Sequence, residues 1–365
     1  LLRKLASRVL QGAGRPSLPR LVVNLTPGEL YFIGEDDPAD GVRTPFVKIG
    51  IVRDDRAVAK RLTEHQTGNP RRLKLLHTQA SPAVEEIEVI MRAEFAPRRI
   101  GGEWFYLPGA ELEVAIERAT VRIEEARANL PTLKAAKDLN SKVSNGQSMT
   151  PDEATLDLHH RLLDVRRQWD EAEDLNKEIG EALLERTRGA PEGYRHVTEQ
   201  VTEPKMAFRK AKFTAAHPDL AERYTDEMQT PNGDGSFLLV GLRGHAVDIE
   251  NDNPALFGHL AGIRESLEAG EPAIELHRRY LEVQALHRPL KWERDLLEAR
   301  LRAFCGEYDE VSGICTWRRK ATKQVFNEAA LKDEHPDLHA EFSSMGKAGR
   351  KVIIDKDLGY RLPQE

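Results

Sequence analysis

The chain has 365 residues, 31% of them charged and only 6% aromatic, with two cysteines, Cys305 and Cys315. That length accommodates two or three domains of roughly 100–200 residues. The cysteine count excludes a disulfide framework and a cysteine-based zinc site, and no apolar run approaches the roughly 18 residues that a membrane-spanning helix needs. The formal charge of −6 is unevenly divided: residues 1–108 carry 17 Lys and Arg against 13 Asp and Glu, whereas residues 109–365 carry 37 against 47. Any polyanion contact is therefore expected in the first third.

Residues 1–20, LLRKLASRVLQGAGRPSLPR, hold five basic residues and no acid. The apolar run is too short and interrupted for a signal peptide. A disordered basic lead-in ending at Pro16 and Pro19 is expected, with a short basic amphipath through Leu2, Leu5 and Leu10 as the alternative. Free cysteines without an export signal make a cytoplasmic location the default.

Residues 21–108 read as a small α/β unit. LYFIG (Leu30–Gly34) and FVKIGIV (Phe46–Val52) are apolar and rich in strand formers, separated by the turn-rich EDDPADGVRTP. A short amphipathic helix follows from about Ala57 to His65, ended by Gly68 and Pro70, and RLKLLHTQ (Arg72–Gln79) is a third strand. Ser81 is expected to cap a helix with Pro82 at its first position and Glu85 and Glu86 in its first turn. Pro97 stops that helix, and EWFYLP (Glu103–Pro108) resumes extended structure.

Residues 109–150 form a helix and a linker. Leu112, Val114, Ile116, Ala119, Val121 and Ile123 recur at helical spacing. SNGQSMTPDE (Ser144–Glu153) is the linker, with Thr150 capping the next helix and Pro151 at its first position. A tandem duplication then fills modules 151–245 and 270–365. LHHRLLDV at 158–165 recurs as LHRRYLEV at 276–283, and AHPDLAERY at 216–224 recurs as EHPDLHAEF at 334–342, with an offset of 118 at both ends. The pairs Leu183/Leu301, Thr198/Thr316, Phe208/Phe326 and Ala211/Ala329 keep that register. Each HPDL step reads as a helix start, with Pro first and Asp in the first turn. The whole is an α+β chain, one small sheet followed by mostly helical tandem modules.

The residues suited to chemistry lie in the first domain. Tyr31 sits in one strand and a Lys48-Ile49-Gly50 step in the next; Arg61 and His65 lie four apart on one helix face. Glu88 lies between Ile87 and Val89 on the following helix, and Gly102-Glu103-Trp104-Phe105 closes the segment. In this order the segment resembles the GIY-YIG nuclease superfamily, in the branch with a Lys in the second motif and a Gly-Glu-Trp-Phe ending. Glu29-Leu30-Tyr31 stands at the GIY position and Lys48-Ile49-Gly50 at the YIG position; Arg61 matches the helix arginine, His65 the residue four later, and Glu88 the metal-binding glutamate. The resemblance covers about 21–108 and implies a three-stranded antiparallel sheet and a metal-dependent endonuclease. Arg92 stands where relatives of this branch often carry a His.

Phosphodiester hydrolysis explains these residue types. A hard divalent cation prefers oxygen ligands and retained waters, so one carboxylate, Glu88, suffices to hold Mg2+ or Mn2+. Arg61 offers a rigid fork of donors to phosphate oxygens. Tyr31, as the resemblance implies, serves or assists as general base once its pKa of about 10 is tuned; His65, with an ordinary pKa near 6.5, is the competing base. Lys48 is expected on phosphate, and Glu103 behind Arg61 or a water. Taken singly, each has a plain structural alternative: Tyr31 as a strand aromatic, Glu88 as a solvated helix residue, Arg61 and His65 as a surface pair.

Arg71, Arg72 and Lys74, with Arg98 and Arg99, are candidates for positioning a DNA backbone; RNA stays open as the polymer. The acidic loop Glu35, Asp36, Asp37 and Asp40 is expected to be solvated. The repeats resemble, more weakly, the segment after the nuclease core of lambda-exonuclease-like phage recombination proteins, through a Gly313–Trp317 hairpin, a Phe…HPDL…Tyr/Phe helix pair and the strand Arg350–Ile354. That implies a phage-related setting and modules that engage DNA, a protein partner or a second copy, without a membrane. The alternative is an inactive DNA-binding or scaffolding protein on the same fold.

Overall fold

The computed structural model describes residues 17–18, 23–54, 56–188, 194, 196–234, 236–241 and 253–356. In the basic lead-in, the described residues are Ser17–Leu18, a short strand β1; residues 1–16 lie outside the described ones. The first domain begins with β2 (Gly28–Asp36) and β3 (Arg43–Arg53), followed by helix α1 (Val58–Gln66), β4 (Arg72–Ser81) and α2 (Val84–Glu94). A single 3-10 turn, Ala96–Arg98, leads to β5 (Arg99–Gly101) and β6 (Trp104–Tyr106). All pairings are antiparallel, in the order β4-β2-β3-β6-β5. The expected three-stranded sheet is thus five-stranded. The Gly-Glu-Trp-Phe ending supplies β6, which docks on β3 through Lys48↔Trp104 and brings β5 with it.

Period-two alternation gives the sheet two different faces. Leu30, Phe32, Val47, Ile49 and Phe105 face α2, where Ile87, Ile90 and Met91 repeat at helical spacing. Tyr31, Ile33 and Val52 occupy the other face, under Val58 and Leu62 of α1. Lys48 and Gly50 alternate with Val47 and Ile49 and so belong to this second, polar-bearing face.

Two helix starts lie two residues later than expected. Ser81 ends β4, and its hydroxyl accepts the Ala83 N–H at 3.2 Å, so it makes a serine turn and α2 begins at Val84. Helix α3 (Ala110–Leu139) follows, then the two-residue strand β7 (Ser148–Met149) and α4 (Glu153–Arg188). Asp152, rather than Thr150, caps α4: its carboxylate accepts the Thr155 N–H at 2.8 Å, and an anion is favoured at that positive end.

The first copy of the repeat continues through β8 (Val197–Thr202), β9 (Met206–Phe208), α5 (Lys210–Ala216), α6 (Pro218–Arg223), β10 (Thr225–Asp234) and β11 (Phe237–Leu239). A connecting helix α7 (Pro254–Glu268) leads to α8 (Ala273–Cys305). The second copy then runs through β12 (Glu310–Val311), β13 (Cys315–Thr316), β14 (Lys320–Phe326), α9 (Glu328–Glu334), α10 (Pro336–Glu341), β15 (Ser343–Met345) and β16 (Gly349–Ile354). Both HPDL steps start helices at their prolines.

The two copies exchange strands. β10 pairs with β14 through Thr225↔Phe326, and the same pairing recurs 118 residues on as Ser343↔Phe208, between β15 and β9. β16 pairs with β8 along six residues. The matching loop bonds recur as well: Arg209 N–H to Phe342 O at 2.8 Å, and Asn327 N–H to Tyr224 O at 2.7 Å. Equivalent residues meet on the pseudo-twofold axis, Phe208 stacked on Phe326 (5.7 Å, 5°) and Trp169 against His287 (5.3 Å). Each copy therefore completes the other, around Phe213 and Leu331.

The sheet domain is joined to this unit by α8, which packs against α2 and α3. The buried stripe of α3 is Ala115, Ala119, Ile123, Ala126, Leu133 and Ala136, meeting Trp292, Leu296 and Ala299. Val114 and Val121, expected inside, are 41% and 56% exposed. Alanines allow the two helix backbones to approach closely, and the register of that approach decides which stripe turns inward.

Candidate functional site

Tyr31 lies across Gly50. A Cβ at Gly50 would fall 2.5 Å from the Tyr31 hydroxyl and 2.7 Å from its Cζ, so the glycine of the Lys-Ile-Gly step is what lets the ring lie flat on its cross-strand neighbour. Held there, Tyr31 is 1% exposed and its hydroxyl reaches His65 Nε2 at 3.3 Å. Arg61, one turn earlier on α1, acts electrostatically on the phenol and reaches Glu64 at 3.1 Å. One helix face thus presents an imidazole and a guanidinium, with Tyr31 beneath them.

A second set of groups adjoins the first. Gly102, in the left-handed region at φ 59°, turns the chain between β5 and β6 and delivers Glu103. One Glu103 oxygen is ion-paired with Lys48 and the other with Arg92. Arg92 in turn reaches Glu88, four residues back on α2, at 2.7 Å. The chain Lys48–Glu103–Arg92–Glu88 therefore runs from the polar sheet face to α2. Electrostatics join it to the first set, since Glu88 and Glu103 act on Tyr31 while Lys48 and Glu103 act on His65.

These contacts set the protonation states. Burial raises the Tyr31 pKa above its ordinary value, against the opposing Arg61, so the phenol stays protonated. Burial, then the Lys48 and Arg61 charges, lower that of His65, which stays neutral at pH 7. Burial raises Glu88, opposed by Arg92. Burial also pushes Glu103 upward, but Lys48 and Arg92 outweigh it and the net shift is downward.

Arg61 and His65 are thus brought over Tyr31, and Lys48, Glu103 and Glu88 are linked to one another through Arg92. Lys48 departs from the expected phosphate contact: it is 7% exposed and bound to Glu103, because its strand position turns it inward. Glu103 sits between two cations instead of behind Arg61. The basic cluster does not form a track. Arg71 pairs with Glu35, Lys74 with Asp36 and Arg98 with Glu111; Glu35 and Asp36, at the end of β2, thus serve as counter-charges, whereas Asp40 stands exposed as expected. Arg72 remains exposed on the edge strand β4, and Arg99 points elsewhere, to carbonyls of Gly102 and Lys356. Arg92 is the member that motif reading undervalued; its position four residues after Glu88 on a helix was the available signal.

Among the described residues, no cluster of three or more His, Cys, Asp or Glu side chains is placed to hold a metal ion. A hard cation that keeps most of its waters does not require one. Glu88 is bonded to Arg92 through Oε1 alone, which leaves Oε2 available, so the donor set fits such a cation. No helix among the described residues is long and apolar enough to cross a membrane. Comparisons with protein-family models, with curated proteins and with solved structures each find no match.

Proposed function

We propose that the chain is a metal-dependent endonuclease that hydrolyses phosphodiester bonds in DNA on a GIY-YIG-like domain, with the duplicated unit engaging substrate or a partner. The observation that carries this reading is that a neutral imidazole and a guanidinium on α1 stand over Tyr31, while the chain Lys48–Glu103–Arg92–Glu88 leads from that same sheet face to a carboxylate on α2. Arg61 clamps a non-bridging phosphate oxygen and stabilises charge as it grows. His65 takes a proton from the attacking water, and Tyr31, too buried to meet that water, fixes the imidazole from below. Glu88 holds Mg2+ or Mn2+, which when bound supplies Lewis acidity at the phosphate. Lys48 and Arg92 orient Glu103 and limit the negative charge gathered there.

Nicking of supercoiled plasmid with Mg2+ or Mn2+ tests this directly. Wild-type protein is expected to cut, and Glu88→Ala and Arg61→Ala to lose cleavage. Activity that survives Glu88→Ala removes the metal assignment. One observation favours a second reading, a DNA-binding scaffold without turnover: Arg92 occupies one oxygen of each carboxylate. In that case the wild-type protein binds the plasmid and leaves it intact under either metal.

A further inference from the structure

The strand exchange builds two matching ribbons. In one, β8 and β9 pair with β16 and β15 in a single antiparallel register, from Val197↔Ile354 to Phe208↔Ser343, and between the strand segments the Gly346 N–H donates to Lys205 O at 2.9 Å. Both ends of this ribbon are packed. Val197, Val352 and Ile354 lie on the core shared by α4, α7 and α8, and Phe208 lies on the core around Phe213. Between those ends the ribbon has left the helices. Val201 shares a face with Val197 by strand alternation yet is 56% exposed, and the cross-strand pair Met206 and Met345 is 59% and 57% exposed. A lone pair of strands is marginal in water, so this span is held in shape by its two packed ends.

The ribbon is basic although the unit that carries it is acidic. Residues 197–212 and 343–354 hold seven Lys and Arg, all of them exposed, against two Glu. Their counterparts 118 residues away, 315–330 and 225–236, hold four charges of each sign, and one of those cations, Arg319, is buried. Lys347, Arg350 and Lys351 stand where the counterpart ribbon has Gln229, Asn232 and Gly233, and Lys210 stands where it has Glu328. The counterpart ribbon, β10 with β14, also shifts register between Gln229 and Asp234, where this one runs on. The two ribbons do the same structural work in the exchanged fold, so whatever that fold requires is common to both. The added positive charge belongs to one alone, and like charges gathered on neighbouring strands oppose folding rather than assist it.

We propose that this ribbon is the surface by which the duplicated unit docks in the major groove of duplex DNA, with Lys205, Lys347, Arg350 and Lys351 against the backbone phosphates. The choice of polymer rests on the nucleic-acid reading above, through binding and not through turnover. Charge complementarity favours a polyanion, and a two-stranded β-ribbon is one of the elements that the major groove admits. Exposure of both strands along the span leaves it free to enter a groove, and Met206 and Met345 offer apolar surface for thymine methyl groups. Polyanion contact is therefore not confined to the first third of the chain, because the acidic average of residues 109–365 hides one basic ribbon.

The test is binding of a short labelled DNA duplex to the full chain in EDTA, across a salt series. Lys347→Ala with Lys351→Ala, both at exposed positions, is expected to raise Kd about tenfold and to lower the log–log salt slope by about two, one for each lost phosphate contact, with an unchanged thermal midpoint. Arginine at both positions is expected to retain wild-type affinity. Lys323→Ala with Lys332→Ala, exposed cations of the counterpart ribbon and of α9, removes the same charge and is expected to leave the slope unchanged. An unchanged slope in the first pair overturns the proposal, as does an equal fall in the second. Wild-type protein that binds no DNA overturns it as well. An RNA duplex, whose major groove is deep and narrow, is expected to bind more weakly, and equal binding overturns docking in the groove. The two readings separate cleanly: if binding falls as expected but no metal supports cleavage, the nuclease reading fails and this one stands. If cleavage is seen while binding is unmoved in Lys347→Ala with Lys351→Ala, the reverse holds.

Discussion

The sheet domain and the duplicated unit both hold charged groups away from water, yet they use them differently. In the duplicated unit Arg319 and Asp295 are enclosed by their partners. Arg319 is 3% exposed, donates to the carbonyls of Leu139 and Gly306, and lies 3.8 Å from the centre of the Trp317 ring. Asp295 accepts from both Lys291 and Arg294. In the sheet domain the charges are gathered but left incomplete: Arg92 Nε is buried without a hydrogen-bond partner, Glu88 keeps one oxygen open, and Glu103 is about one-third exposed. Burial of charge alone therefore does not mark a site. Nor does an unpartnered buried atom, since both amide atoms of Asn176 in α4 lack one as well; the sheet domain differs in that its linked charges include a carboxylate that is about one-third exposed, Glu103.

The largest effect that would break this contrast lies in the exchanged core. Phe213→Ala, at a fully buried position, should cost about 3–5 kcal/mol, and its counterpart Leu331→Ala about 2–5 kcal/mol. Because the copies complete each other, both losses should appear in a single unfolding transition by chemical denaturation; two separated transitions would show that the copies fold apart. In the sheet domain Arg61→Ala should leave the midpoint nearly unchanged and lower the cleavage rate by about 10²–10³, the scale for removing a donor to developing charge. Equal damage to stability would make Arg61 a structural residue.

Gly50→Ala sits between these extremes. Its new methyl must displace the Tyr31 ring, an overpacking that typically costs about 1–3 kcal/mol, and it should disturb His65 at the same time. Denaturation and nicking assays should therefore move together. The pH profile is a subtler reporter. With His65 held below its ordinary value near 6.5, its base form persists into mild acid, so cleavage should rise with pH and level off below 6.5. Lys48→Met removes one of the charges responsible and should shift that limb upward. The smallest effect is expected at Lys74→Ala, whose cation is already spent on Asp36: DNA affinity should stay within experimental error, whereas Arg72→Ala should reduce the salt slope by about one.

What could be read from the sequence was what depends on near neighbours. The strands around Tyr31 and Lys48, the helix carrying Arg61 and His65, and the HPDL starts follow from periodicity and from proline and aspartate placement. The 118-residue register was legible as repetition, but its partner choice was not. Nothing local tells Thr225 to pair with Phe326 rather than within its own copy. The same limit applies to the site. The sequence offered Glu88 and Glu103 as separate motif residues, and only the antiparallel docking of β6 on β3 puts Arg92 between them. Helix α3 shows a different failure: hydrophobic spacing favoured Val114 and Val121, while close helix contact selected the alanines.

The exchanged strands have a consequence for assembly. An arrangement in which each half supplies the other's missing strand is, for separate chains, a two-body association whose strength falls on dilution. Here a single backbone links the halves, so the partner is always present at a high effective concentration and dilution cannot part them. Freed from having to match an identical partner, the two copies can also diverge. The second has done so at Cys315 and Trp317, whose counterparts 118 residues earlier are Val197 and Glu199. Tethering has turned a symmetric interface into an asymmetric interior, one end of which places Lys356 beside the sheet domain.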